Sequence, residues 1–392
     1  MRQTGNISPE FDRVQRIGGI VGIAGCLVLA GGAVLSAQEF LQSYLYAYVL
    51  WLGIVMGCFG VFMLHHLVSG GWGFVTQRIT EAGMRTLPLM AILFIPILLG
   101  ITDLYPWAGP KGVETGSGAH VWLPYLNTGF FIIRAILYFI WWIAGAFLLT
   151  RWSRQQDSTA DPALTRKIRL LSAPGLVFYV ITMTFASVDW VMSLEPGWFS
   201  TIYGFLIVVS QVLTALCFVI IVLRYLSERP PLAGVVTERH VHHLGNLVLT
   251  FVILWAYMAY SQFLITWSGN LPDETSWYVR RLAPGWSSLG LFVVVVHFFV
   301  PLVILLFRRV KRSIRSLAWV AWGLIIMRLV DTFWLVTPAF SPAGLRIRVL
   351  DVVAPLALGG LWLWYFVHQL KQTSLLPLHD PRFEAMLEPA EA

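Results

Sequence analysis

Six ionisable side chains stand where apolar sequence should run: Asp103, Arg134, Asp189, Arg328, Asp331 and Asp351. A charge at bilayer depth costs several kcal/mol, so it persists where it is paired or has a task. A helical rise of about 1.5 Å per residue puts all six in the outer half of the membrane, on five different helices. Two chemistries fit that placement. One is an ion-pair lattice that locks helices together, chiefly through Arg328 and Asp331, three residues apart on one helical face. The other is a proton-handling or quinol head-group site open to the outer face, where a carboxylate or imidazole takes the protons released on oxidation.

A sparser polar set lies deeper. Gln211 and His297 fall near mid-membrane, and Tyr257, Tyr260, Ser261 and Gln262 follow one another along a single segment. These residue types suit a water-assisted proton relay. They equally suit interhelical hydrogen bonding, worth about 0.6–2 kcal/mol each. His65, His66 and His368 close spans at the inner side, but adjacent histidines point apart on a helix, which is a poor haem-ligand pattern. His240, His242 and His243 read as the solvated face of a polar loop. Cys26, Cys58 and Cys217 fall inside spans as small packing residues. The sequence has no Cys-x-x-Cys pair, haem-attachment motif, iron–sulfur run or Walker A loop, which predicts no metal site and no covalently bound redox cofactor.

The elements that position these groups are ten apolar segments near 17–37, 44–67, 87–102, 129–150, 172–190, 199–225, 246–266, 286–307, 317–336 and 350–370. A hydrocarbon core of about 30 Å needs roughly 20 apolar residues of helix, and only helices or closed barrels satisfy the backbone there. Hydrophobic residues make up 57% of the chain and charged residues 12%, whereas soluble chains are about 25% charged. The expected class is therefore an all-α, multi-pass membrane protein: an N-terminal segment 1–16, a ten-helix domain 17–370 and a tail 371–392. The run Ile17–Ala37 is too long for a cleaved leader and reads as the first span. The net charge of +7 does not indicate nucleic-acid binding, because the basic residues segregate by side. Twenty Lys and Arg fall in the N-terminus, the even-numbered connections and the C-terminus, against Lys111, Arg280, Arg281, Arg346 and Arg348 in the odd-numbered ones. That asymmetry predicts both termini in the cytoplasm. The inner connections at 151–171 and 224–245 read as basic and polar, and Arg78 and Arg85 as part of another. Trp107, Trp122, Tyr125, Trp190, Trp198, Trp267, Trp277, Tyr278 and Trp286 gather near the outer ends as an interfacial aromatic belt.

Three stretches carry more specific information: residues 187–204 (SVDWVMSLEPGWFSTIYG), residues 255–278 (WAYMAYSQFLITWSGNLPDETSWY) and residues 65–72 (HHLVSGGW), the last followed by Arg78 and Glu81. Together with the ten-helix count, they resemble the F-type membrane subunit of alternative complex III, within the wider family of polysulfide-reductase-type (NrfD-like) membrane anchors. The resemblance implies two four-helix bundles flanked by two extra helices. It implies a bacterial cytoplasmic-membrane complex that oxidises menaquinone- or ubiquinone-type quinols. Its partners would be a related C-type membrane subunit, a peripheral iron–sulfur subunit and multihaem cytochrome c subunits, which carry the electrons. The F-type subunit is expected to help bind quinone or conduct protons. The matching positions here are Asp189, Glu195, Tyr260, Gln262, Asp273 and Glu274, of which Glu195, Asp273 and Glu274 suit docking to a peripheral subunit. A second class of function is a scaffold or stand-alone transporter. Pro96, Pro301 and Pro355 interrupt spans without the half-to-half match that inverted-repeat transporters show.

Overall fold

The computed structural model describes residues 9–109, 113–114, 120–121, 124–377 and 380. The predicted features at Arg2, Lys111, Trp122, Arg382, Glu384, Glu388 and Glu391 lie outside the described residues. Ten helices are long and apolar enough to cross a membrane: α1 Phe11–Leu35, α2 Ala37–Val68, α3 Gly71–Leu99, α4 Thr128–Thr159, α5 Pro162–Leu194, α6 Tyr203–Leu226, α7 Glu238–Gly269, α8 Trp286–Leu306, α9 Ile314–Ala339 and α10 Val349–Lys371. Each of the ten predicted segments falls on one of these helices, those at 17–37, 87–102, 199–225 and 286–307 overrunning an end by a few residues, and the chain is an all-α multi-pass membrane protein. Between α3 and α4, Val113–Glu114 pairs antiparallel with His120–Val121.

Several helices run well beyond their apolar cores, which corrects the predicted connections. Helix α3 begins at Gly71, so Arg78 and Glu81 are helical rather than in a loop. The inner connection expected at 151–171 shrinks to Ala160 and Asp161. Ala160 takes the left-handed conformation (φ 51°) and Asp161 accepts the Ala163 N–H as N-cap. Helix α7 begins at Glu238, where the Thr237 hydroxyl caps the His240 N–H; His240, His242 and His243 therefore lie in its first two turns. Hydropathy misses these turns because they are polar, while capping side chains satisfy their free backbone donors.

The helices pack as two closed rings of four. Helices α2, α3, α4 and α5 contact in turn around the first ring, and α6, α7, α8 and α9 around the second. Helix α6 joins them by packing against α2 and α5, and its apolar window is buried throughout. A Cβ on Gly57 would lie 2.0 Å from the Gln211 carbonyl oxygen, so the α2–α6 contact is a backbone-to-backbone approach that only glycine permits. Helix α1 lies outside both rings, clasped antiparallel to α10. The same argument holds at that seam, where a Cβ on Gly22 would lie 2.6 Å from the Leu361 amide nitrogen. At its end, Lys371 is bonded to Asp12, which sets the two ends of the bundle on one face.

Candidate functional site

In the first ring, α4 and α5 bring Arg134 and Asp189 together. The Asn127 side chain starts α4 by accepting the Phe130 N–H, which places Arg134 two turns inside. Its Nε and Nη2 donate to the two Asp189 carboxylate oxygens at 2.9 and 2.7 Å, and its Nη1 donates to the Tyr125 carbonyl at 3.0 Å. Tyr138, one turn on, donates to the same carboxylate at 2.9 Å. The guanidinium lies 3.9 Å over the Tyr125 ring. Bidentate geometry with each guanidinium nitrogen bonded is what a desolvated pair needs to hold its place. The pair is a lock between α4 and α5.

The second ring is different. Arg328 and Asp331, on consecutive turns of α9, are ion-paired and buried. Within electrostatic reach of Arg328 lies His297 of α8, only 1% exposed, with neither ring nitrogen hydrogen-bonded among the described residues. Its ring stands edge-on to Trp255 of α7, with centroids 4.5 Å apart. The Trp255 indole N–H faces the Asp331 carboxylate without closing a bond of normal geometry. Tyr203, the first residue of α6, lies within electrostatic reach of Arg328 and Asp331 and of the pair Arg281 and Glu195. The sequence accounts for the local shape. Pro301 has no N–H to give the His297 carbonyl four residues earlier, and the helix loosens into a π turn over Val294–Phe299. Such turns recur at functional positions because they push one side chain out of helical register.

Above this set, Arg281 ends the short helix Pro272–Arg281 and reaches Glu195 at 3.1 Å, with Arg280 3.5 Å from the same carboxylate. Arg281 also donates to the Leu335 carbonyl at 2.7 Å and lies 3.4 Å over the Trp277 ring. Burial brings its guanidinium down to about 10, against the Glu195 charge, which holds it up. Glu195 is therefore an internal partner, 7% exposed, and not the free docking carboxylate the sequence suggested.

The other candidates scatter. Asp103 is exposed and joins neither pair. Asp351 faces α2, accepting from the Ser43 hydroxyl at 2.6 Å and the Arg348 N–H at 2.8 Å as the first turn of α10 forms. Four of the six outer charges thus form two local pairs, Asp351 pairs with Arg348, and Asp103 stands apart, so they make no convergent cluster. Gln211 accepts from the Tyr179 hydroxyl at 2.9 Å, at the seam between the rings. Gln262 takes the Ser200 hydroxyl at 3.2 Å and reaches Tyr278 at 3.5 Å. Tyr257 and Tyr260 are each 61% exposed on the outer surface of α7, so neither belongs to an internal relay. Asp273 is exposed and Glu274 half-buried.

One buried polar cluster has no counterpart among the predicted sites. In the first ring, Arg78 pairs with Glu81 at 2.8 Å and with Asp157, while Gln77 and Ser153 hydrogen-bond the Glu81 carboxylate. Arg78 and Glu81 are each 1% exposed. The legible signal is the three-residue Arg–Glu spacing, the same spacing that marks Arg328 and Asp331. The partners Ser153 and Asp157 come from α4, more than seventy residues away, and only packing reveals them.

No known protein-family profile matches the chain, and no curated protein matches it either.

Proposed function

We propose that this chain is the F-type membrane subunit of a quinol-oxidising electron-transfer complex of the alternative complex III kind, in the bacterial cytoplasmic membrane. The reading is supported by the motifs at 187–204 and 255–278 and by the ten-helix arrangement in two rings with two flanking helices. The observation that carries it furthest is His297: a fully enclosed imidazole with both nitrogens unbonded beside the Arg328–Asp331 pair. A buried polar group without a partner costs about 1–3 kcal/mol. A chain that keeps one at a π turn has a use for its nitrogens. Oxidation of a quinol releases two protons with two electrons. The electrons pass to iron–sulfur and c-haem partners, and what this chain's residues supply is proton handling and head-group placement. His297 and Asp331 hold the exchangeable positions, and Arg328 orients the carboxylate. Menaquinone or ubiquinone is the quinone class, and the related C-type membrane subunit is the nearest partner. In the first ring, the saturated Arg134–Asp189 pair favours a purely structural role instead.

The test is gentle purification of the tagged chain from its native membrane, with a reduced-minus-oxidised spectrum and mass spectrometry of what accompanies it. Quinol-reducible c-type haem together with an iron–sulfur protein is the expected result. A colourless preparation without partners overturns the proposal.

A further inference from the structure

A cationic patch at the end of the second ring stands apart from any quinol chemistry. Helices α8 and α9 meet on the face that carries both ends of the bundle, and residues 308–315 join them with the sequence RRVKRSIR. Five of these eight side chains are basic, and no Asp or Glu occurs from Thr275 to Val330. The other basic stretch of this face, 151–169, has Asp157 and Asp161 among its cations. Local structure fixes the connection. Arg308–Arg312 forms a short helix packed on α7, and the Ser313 hydroxyl accepts the Ser316 N–H at 3.3 Å to start α9. A Cβ on Gly245 of α7 would lie 2.9 Å from the Lys311 Cβ, so the two helices touch at a glycine. Lys311 is half-buried there, while Arg308, Arg309, Arg312 and Arg315 are exposed. None of the five is ion-paired among the described residues. By contrast, Arg78, Arg134, Arg281 and Arg328 are each matched to a carboxylate. Across from the patch on α7 stands His242, within electrostatic reach of Arg308, Lys311 and Arg312, and an imidazole cannot offset their charge. Apolar side chains border the patch on both sides. Val303, Leu306 and Phe307 precede it and Trp319 follows, one turn beyond Arg315, all more than half exposed. Apolar surface that open on a spanning helix belongs to lipid, so the guanidinium groups stand at the edge of the hydrocarbon, the depth of lipid phosphates.

We propose that the segment Arg308–Arg315 gathers anionic phospholipid on this face, its cations sharing several lipid phosphates while Leu306, Phe307 and Trp319 lie along the acyl chains. Clusters of about four to eight Lys and Arg at the end of a spanning helix are the usual seats of anionic head groups. A free phosphate or an acidic soluble protein matches the charge alone. Neither has a use for the apolar border, whereas a lipid uses both. Because the short helix is pressed onto α7, the arginines start from a fixed backbone, and less order is lost when head groups bind.

The experiment takes the full chain, purified in mild detergent and delipidated, and titrates in phosphatidylglycerol, phosphatidylcholine or inorganic phosphate. Bound lipid is counted by native mass spectrometry. Phosphatidylglycerol is expected to bind more tightly than phosphatidylcholine, and phosphate at equal concentration should not displace it. Arg309→Gln should weaken phosphatidylglycerol binding about fivefold, the increment of one surface arginine. Arg308→Gln, Arg309→Gln and Arg312→Gln together should weaken it about 10²-fold. The three corresponding lysine changes keep the charge and should hold binding to within about twofold. Arg166→Gln, Lys167→Gln and Arg169→Gln together remove as much charge from the same face elsewhere and should change binding by less than about twofold. An equal loss in that second triple variant overturns the proposal, since net charge would then be the cause. Equal binding of both lipids overturns it and leaves the patch to a soluble acidic partner. Displacement by inorganic phosphate overturns it in favour of a simple anion site.

Discussion

An imidazole with neither nitrogen bonded is the least settled group in the second ring, and its substitution separates architecture from chemistry. Replacing a partnerless buried polar group by an apolar one of similar size is close to neutral for stability. His297→Leu should therefore assemble and unfold like the wild type, yet lose about 10²-fold in proton-linked quinol turnover, the usual yield of a general acid or base. Wild-type turnover and proton stoichiometry in that variant would remove His297 from the site. Asp331→Asn behaves oppositely. It strands the buried Arg328 cation and should cost about 3–5 kcal/mol in a denaturation titration. Glu195→Gln should cost a similar 3 kcal/mol or so, because Arg281 is 2% exposed and Glu195 is the one carboxylate paired with it among the described residues. Asp273→Asn, at an exposed position, is the unperturbed control. At this scale the sequence was informative about identity and poor about company. His297, Arg328 and Asp331 stand out by being polar in apolar runs. That Tyr203, Trp255 and Arg281 surround them depends on how four helices and an outer connection turn toward one another.

Among the elements, α3 shows where hydropathy reading stops. Its predicted core, 87–102, follows the apolar run, while the helix starts sixteen residues earlier, at Gly71. The stretch from Thr76 to Glu81 is too polar to read as bilayer sequence, yet it is wholly buried because its groups pair with one another and with α4. The opposite ends of the helices were lost for the same reason, their caps being local and polar. The apolar centres were all legible, since burial in lipid needs only composition. Glycine contacts distinguish the two kinds of seam. Gly57→Val places side-chain carbon against the Gln211 backbone at the junction of the rings. It should abolish a monodisperse peak in size-exclusion chromatography. Gly22→Val should only lever α1 off α10, since α1 is mostly exposed beyond that seam. The rings should elute normally while trypsin gains access at Arg13 and Arg16. A normal protease pattern in Gly22→Val would mean the seam tolerates the extra carbons.

For the whole molecule, an even number of helices calls for both ends on one face, and the structure sets Asp12 beside Lys371. A cysteine placed at exposed Ser158 and another at exposed Ser276 should react with an impermeant maleimide from opposite sides of sealed vesicles. The native Cys58 and Cys217 are buried and should stay silent. Labelling of both from one side would overturn the topology. The clasp of α1 on α10 carries a consequence for synthesis. Helix α1, the earliest of the ten in sequence, has its main docking surface on α10, the latest of them. Chains emerge N-terminus first, at about 5–20 residues per second. For most of translation the glycine face of α1 is therefore bare to lipid and to insertion factors. It finds its mate only when residue 371 is out, so a chain stalled before α10 keeps α1 undocked along its glycine face.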